Sequence, residues 1–345
     1  MLKRMNPPFD GPMRTPENWP PIGATLEAEL PCPVCGEILG QVIAHHDRRG
    51  KRLKTVGCTQ CGLMRTDPLP TTDDLRRFYE SEYRRSYKGS ECPSSKRIYR
   101  AALLAAGRLR RLSSHLPATS KVLDIGCASG EWLFMLKARG HSPIGVELDS
   151  AYGEFGRREY GVDIRTQSLD TLQMPEHAFD CITMFHVLEH IPDPIATLRG
   201  IHRWLTKDGL LIVEVPNINS VHQNPAKRFH HAHVLGFTER SLATAFQASG
   251  WECLELSLDR YERNILAIVR PQDTNATQDP GLNVRTAPPP TPLATSKAAM
   301  VRYYLRGATY LRWLERMSQF TVEFRMAWNG QSPREVLDAV ERKYR

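Results

Sequence analysis

Residues 122–130 read Val-Leu-Asp-Ile-Gly-Cys-Ala-Ser-Gly, and this stretch decides the architecture. Val122, Leu123 and Ile125 form a short apolar run with no polar alternation, which marks a parallel strand buried on both faces. Gly126 and Gly130 bracket a turn where a side chain would block the close approach of a ligand. Residues 131–139 (EWLFMLKAR) follow with helical spacing, so the first N–H groups of a helix face whatever lies over the turn. A second apolar segment, Ile144-Gly145-Val146, ends on Glu147. An acid at the tip of a second strand suits the paired hydroxyls of a ribose.

The fingerprint of dinucleotide-binding domains, G-x-G-x-x-G, does not fit, because Ala128 separates the two glycines and Glu131 stands where the third would fall. Asp124-x-Gly126-x-Ala128-x-Gly130 instead resembles motif I of the class I S-adenosylmethionine-dependent methyltransferases. Ala128 replaces the usual middle glycine, and Glu147 matches the family's motif II acid. Phe179-Asp180, then a strand, then HVLEHIPDP at 186–194 resembles the fourth-strand motif of a large methyltransferase group. Lys207-Asp208-Gly209-Leu210 with Pro216-Asn217 resembles the turn into its fifth strand and the lid beyond. His233, Phe237-Thr238-x-x-Ser241-Leu242 and Gly250-Trp251 resemble its histidine-containing segment and the helix after it. The resemblance covers about residues 120–270.

It implies an α/β fold: a Rossmann-like methyltransferase sheet with helices on both faces. The strands expected are 121–126, 142–147, 162–165, 178–184 and 209–215, with helices over 151–160 and 193–205 and one starting near Thr238. It implies S-adenosyl-L-methionine as cofactor. Asp124, Gly126, Cys127, Ala128 and Gly130 would carry its methionine portion. Glu147 and Leu148 would lie at the ribose, Ser168 and Leu169 near adenine, and Phe185 and His186 at the end of the fourth strand. A base is needed on the lid side, and His233 matches the family's recurrent histidine. Its neutral-range titration suits the task. Tyr79 and Tyr83 are next in line, with His230 and His231 as adjacent alternatives. The competing expectation is that this HHAH cluster is an exposed, solvated loop. A metal there is disfavoured, because no acid or cysteine stands nearby in sequence.

The chain has 345 residues, 41% of them apolar, enough for a sizeable core. No segment approaches 18 consecutive apolar residues, and the basic, Pro-rich N-terminus has no apolar centre, so neither a spanning helix nor a signal peptide is expected and a cytoplasmic location is. Residues 1–30 read as a flexible N-terminus. Residues 31–70 contain Cys32-x-x-Cys35 and Cys58-x-x-Cys61, each followed by a glycine (Gly36, Gly62) that permits a tight knuckle. Between them a strand at 41–44, a turn at 47–50 and a strand at 53–56 form a hairpin. This is a structural zinc-ribbon pattern, with those four cysteines as ligands. The paired knuckles with Gly62-Leu63 and Pro70 also resemble the zinc-bearing N-terminal module of sugar C-methyltransferases from deoxysugar pathways, which act on nucleotide-linked keto-sugars. The chain departs from them after Pro271, where no second α/β domain is evident.

Residues 71–115 read as a helical connector. A helix over 71–87 carries Tyr79, Tyr83 and Tyr87 at four-residue spacing, and a second covers 94–112. From Arg84 to Arg111 there are nine Lys or Arg and one acid, and the chain as a whole carries +8. So lopsided a run favours an anionic partner such as a nucleotide-sugar diphosphate, a lipid head group or nucleic acid. Residues 116–270 form the cofactor-binding domain, 271–297 a Pro-rich linker, and 298–345 C-terminal amphipathic helices. The first of these, 298–320, interleaves Arg with Tyr and Trp, which suits docking on the catalytic domain or peripheral contact with a membrane.

Two function classes follow: methyl transfer to a small-molecule acceptor, with a sugar or glycan or secondary-metabolite precursor expected, and a nucleic-acid-binding protein or RNA methyltransferase using the ribbon and basic helix. The proline-plus-aromatic tetrapeptide of base amino-methyltransferases is replaced by Phe185-His186-Val187-Leu188, and no RNA-binding signature is evident, so nucleic acid is disfavoured as a partner.

Overall fold

The structure is a computed structural model that describes residues 19–71, 74–75, 92–272, 301, 303–305, 310, 317 and 331–345. The helix expected over 71–87, the linker and most of the helix expected over 298–320 lie outside the described residues, as do Tyr79 and Tyr83.

The N-terminal sheet contains β1 (Thr25–Glu27), β2 (Leu39–His46), β3 (Arg52–Cys58) and β4 (Met64–Thr66). The β2–β3 hairpin turns where Asp47 Oδ1 accepts from the N–H groups of Arg49 and Lys51, both at 2.8 Å, and Gly50 takes φ +77°. That Asx-type turn is why the reversal was legible in sequence.

Helix α1 (Ser95–Leu112) leads into the catalytic sheet. Its strands are β5 (Lys121–Ile125), β6 (Ser142–Glu147), β7 (Asp163–Thr166), β8 (Phe179–Phe185) and β9 (Leu205–Pro216), alternating with α2 (Glu131–Ala138), α3 (Ser150–Tyr160) and α4 (Pro194–Ile201). Then come β10 (Leu235–Gly236), α5 (Glu239–Ala248), β11 (Trp251–Leu258), β12 (Asn264–Pro271) and α6 (Pro333–Tyr344). The sheet order is β7-β6-β5-β8-β9-β12-β11, with β5 to β9 parallel and the last two strands antiparallel.

Each central strand feeds both faces, as its unalternating apolar run requires. Val122 and Ile212 pack with α1, α2, α3 and α6, whereas Leu123, Ile125, Leu211 and Val213 pack with α4 and α5. Helices therefore cover both faces, as expected.

The largest boundary difference from the sequence reading lies at the entry to β9. The helix expected over 193–205 stops at Ile201, and a 3-10 turn, His202–Trp204, carries the chain into β9 four residues earlier than expected. The α4 start agrees, since Asp193 caps it by accepting from Ala196 N–H at 2.9 Å. The β11–β12 hairpin was not anticipated. At the C-terminus α6 buries Val336, Leu337 and Val340, and Arg334 donates to the Tyr160 carbonyl at 3.0 Å.

The ribbon and the catalytic domain share a sheet. β10 pairs antiparallel with β4, so that the segment before α5 is the fifth strand of the ribbon sheet. Thr66 N–H donates to the Val234 carbonyl at 3.0 Å, and Arg48 N–H to that of Phe229 at 2.8 Å.

Helix α3 presses directly on the turn after β5. A Cβ at Gly156 would lie 2.4 Å from the Ser129 carbonyl oxygen and 2.6 Å from Ile164 Cδ1. Alanine gains about 1 kcal/mol of helix propensity over glycine, but overpacking against backbone costs about 1–3 kcal/mol. Gly156→Ala should therefore destabilise the domain and weaken ligand binding at the turn. A urea midpoint at or above wild type would show that the helix has room to move.

Candidate functional site: the carboxyl edge of the parallel sheet

Open α/β sheets bind ligands beyond the carboxyl ends of their strands. Here the ends of β5, β6 and β8 converge. Gly126 takes φ +75°, and a Cβ there would meet Val187 Cγ2 at 2.4 Å, so the turn needs glycine because the chain leaving β8 crosses against it. Gly130, at φ +86°, closes the turn against Val162 and Ile164. Ala128 also lies in the left-handed region, at φ +50°. It adopts the conformation its glycine counterpart would take freely, at a strain of about 1–2 kcal/mol.

Glu147 at the tip of β6 is tied into this turn. Its Oε2 accepts from Ala128 N–H and its Oε1 from Asp149 N–H, both at 2.9 Å. The carboxylate is thus aimed before any ligand arrives, and its remaining lone pairs can accept from a diol. Beside it Leu148 is 38% exposed, an apolar surface at the cleft rim. Ser168 precedes a 3-10 turn over Leu169–Thr171, and both Ser168 and Leu169 are half-buried.

Asp124 and Cys127 are buried beneath the turn. Burial pushes the Asp124 carboxyl up to about 7, against the hydrogen bond that Thr183 Oγ1 donates at 2.7 Å. Burial also pushes the Cys127 thiol well up, so it is inert. These two side chains support the turn from below, and only its backbone can touch a ligand.

The acceptor side is built from the segment after β8. Arg108 of α1 stacks over the Phe185 ring at 4.0 Å and reaches Glu214 of β9, with contacts of 2.7 and 3.3 Å. His186, at φ +59°, turns its imidazole between two acids, with Nε2 3.1 Å from Glu214 Oε1 and Nδ1 3.4 Å from Glu189 Oε1. Burial alone would lower the His186 pKa, but the pull of Glu189 and Glu214 outweighs it and holds it at about 9. Burial alone would likewise raise the Glu214 carboxyl, but His186 and Arg108 hold it well below the usual carboxylate range. With acids facing both its nitrogens, His186 is an imidazolium at neutral pH. Neither Arg108 nor Glu214 was picked out in sequence, since they are separated by 106 residues and neither stands in a motif.

The histidine-rich segment is not the solvated loop that was the competing expectation. His230 is buried, and His231 and His233 are half-buried. The His233 ring stacks on His230, with centroids 3.9 Å apart, and meets His190 edge-on at 4.7 Å. Burial first, then His190, His230 and His186, hold its pKa well below the usual range, so the ring is neutral. No acid stands near it in sequence, but in space Glu189, 1% exposed, lies 3.9 Å from His233 Nε2.

In the ribbon, the four expected cysteines come together. Cys32 and Cys61 Sγ are 3.6 Å apart, Cys35 and Cys58 Sγ 3.5 Å, and all four sulfurs lie within 4.8 Å of one another. A tetrahedral zinc with Zn–S of about 2.3 Å needs sulfurs about 3.8 Å apart, so the set fits. Gly36 and Gly62 both take φ +78°, as the two knuckles require.

Comparison with known proteins gives three findings. A family model described as a methyltransferase domain matches residues 97–256. The ubiquinone biosynthesis O-methyltransferase of Pseudomonas aeruginosa PAO1 is 27% identical over 175 residues, 49% of this chain and 66% of the relative. That of Pseudomonas entomophila is 30% identical over 109 residues, 30% of this chain and 47% of the relative. The matched stretch thus spans just under two thirds of the first of these relatives and about half of the second. Among solved structures, the Burkholderia thailandensis 1,6-didemethyltoxoflavin-N1-methyltransferase, bound to 1,6-didemethyltoxoflavin and S-adenosylhomocysteine, gives a TM-score of 0.45 at 20% identity, covering 64% of this chain and 96% of that one. Among the described residues no helix is long and apolar enough to cross a membrane. Residues 97–256 thus match a methyltransferase domain, and the sheet order and the turn anchored to Glu147 lie within or beside that stretch.

Proposed function

We propose that the chain transfers the methyl group of S-adenosylmethionine to a small-molecule acceptor. The observation that carries this reading is the placement of two unlike groups on one sheet edge. A carboxylate pre-aimed by two backbone N–H groups lies at one end, and a cluster of Glu189, His190 and His233 at the other. The sulfonium supplies an activated methyl group. The protein has to align the acceptor with it and deal with the acceptor's proton.

Glu147 holds the ribose hydroxyls, the backbone of 126–130 passes under the methionine portion, and Ser168, Leu169 and Leu148 border the adenine. Phe185 and His186 close the cofactor pocket toward the acceptor. His233 is the neutral imidazole of the acceptor side. The O-methyltransferase names of the relatives support an oxygen acceptor, and the ribbon resemblance supports a sugar or glycan precursor. The four cysteines hold one structural zinc, with no open position for substrate.

Calorimetry with S-adenosylhomocysteine tests the cofactor assignment. Glu147→Ala should lose about 1–3 kcal/mol of binding, the range for an unpaired polar contact, with the fold intact. An unchanged affinity would overturn the assignment of Glu147.

A further inference from the structure

We propose that Glu189, His190 and His233 form a second metal centre, distinct from the four cysteines, which takes a divalent first-row transition ion and presents it to the acceptor. The proposal rests on the reading of this edge as the site of methyl transfer, and it adds a ligand to that site.

Glu189 is 1% exposed; its Oε1 faces His186 Nδ1 at 3.4 Å, and its Oε2 has no hydrogen-bond partner. Leaving such a group unmatched is costly, so something is expected to meet it. Beyond His186, two further imidazoles turn a ring nitrogen toward it. His190 Nε2 and His233 Nε2 each stand 3.9 Å from Glu189 Oε1, and the three groups offer one ligand atom each within 4.8 Å of one another.

The tautomer of His190 sharpens the argument. Its Nδ1 lies 2.5 Å from the Ala232 carbonyl oxygen, which can only accept, so the proton is on Nδ1. The Nε2 lone pair therefore points into the cluster. A backbone carbonyl fixing the far nitrogen of an imidazole is the usual support for a metal-ligating histidine. His233 turns its Nε2 toward the same carboxyl oxygen, so two imidazole nitrogens and a carboxylate converge on one point.

Two imidazoles and one carboxylate suit zinc, manganese, iron or cobalt, whereas magnesium and calcium prefer all-oxygen sets. Three protein ligands leave positions for a substrate oxygen, unlike the closed set of four thiolates. His190 and His233 keep 18% and 29% of their side-chain surface exposed, so the centre is not sealed from solvent. An ion there would orient an oxygen acceptor and ease the loss of its proton.

The test is titration of the reduced full-length chain, ribbon zinc in place, with cobalt(II) chloride. The wild type should take one cobalt ion per chain beyond the ribbon metal, with a weak visible band and no thiolate charge-transfer absorption. Glu189→Gln and His190→Gln should each weaken that binding by roughly 100-fold or more, at least the loss seen on removing a supporting partner. Ribbon metal content and circular dichroism should not change. If Glu189→Gln fails to fold, His190→Gln alone decides. No second ion in the wild type, or equal cobalt binding in the variants, would overturn the proposal. S-adenosylhomocysteine binding in the same samples separates the two readings: bound cofactor without cobalt sinks only the metal centre, and bound cobalt without cofactor sinks only the methyl-transfer reading.

Discussion

Cys58→Ser should strip the metal from the ribbon, unfold residues 31–70 and abolish turnover while sparing much of the cofactor affinity. The size of the effect follows from what holds the module together. A structural zinc contributes on the order of 10 kcal/mol or more to its local fold. The ribbon's own strands are short, and β1 and β4 have three residues each. Without the metal, Cys32, Cys35 and Cys61 surround a hole in a small core. The loss then travels along the shared sheet. β4 is the partner of β10, and Thr66 and Arg48 hold the backbone of the segment containing His230 and His233. Among the described residues no backbone hydrogen bond ties the turn at Gly126 and Glu147 to the ribbon, so S-adenosylhomocysteine should still bind. Elemental analysis should find zinc in wild-type protein purified without chelator and none at the cysteines of the variant. Limited proteolysis should cut the variant within the ribbon. Metal-free wild type with an intact ribbon would refute the zinc assignment.

His233→Ala is expected to lower kcat by roughly 10²-fold or more, the scale on which proton handling contributes. The ring stands between His230 and His190 and faces Glu189, and none of these contacts involves Glu147 or the turn at 126–130. S-adenosylhomocysteine affinity should hence barely change. That split between turnover and cofactor binding is what a merely structural histidine would not produce, because truncating a packed ring would loosen both. The loss follows from a missing base or from a missing metal ligand, and the cobalt titration separates the two. Near-full turnover would move the proton-accepting role to Tyr79 or Tyr83.

The sequence by itself determined the parts whose physics is local. The turn at 126–130 was legible because its glycines are demanded by backbone conformation and by Val187 overhead, and Glu147 because it ends an apolar strand. The knuckles were legible from the spacing of two cysteines and a left-handed glycine. The Asp47 turn and the Asp193 cap announce themselves within four residues. The end of α4 was not legible, since Ile201 to Leu205 keeps the apolar spacing of a helix while the chain is already turning into β9.

What only the tertiary structure decided is the acceptor side. Arg108, His186, Glu189, Glu214 and His233 come from α1, the tail of β8, β9 and the segment before β10. His186 and Glu189 share the HVLEHIPDP stretch, but no pattern in the chain ties Arg108 or Glu214 to them. Their protonation is set by one another: His186 is charged because two acids flank it, and His233 is neutral because burial and three imidazoles surround it. Read along the chain, the HHAH run has no acid beside it, and a solvated loop was a fair expectation. Folding brings the buried Glu189 beside it, 3.9 Å from His233 Nε2. Charge and coordination act through space over a few ångströms, whereas sequence reports only distance along the backbone.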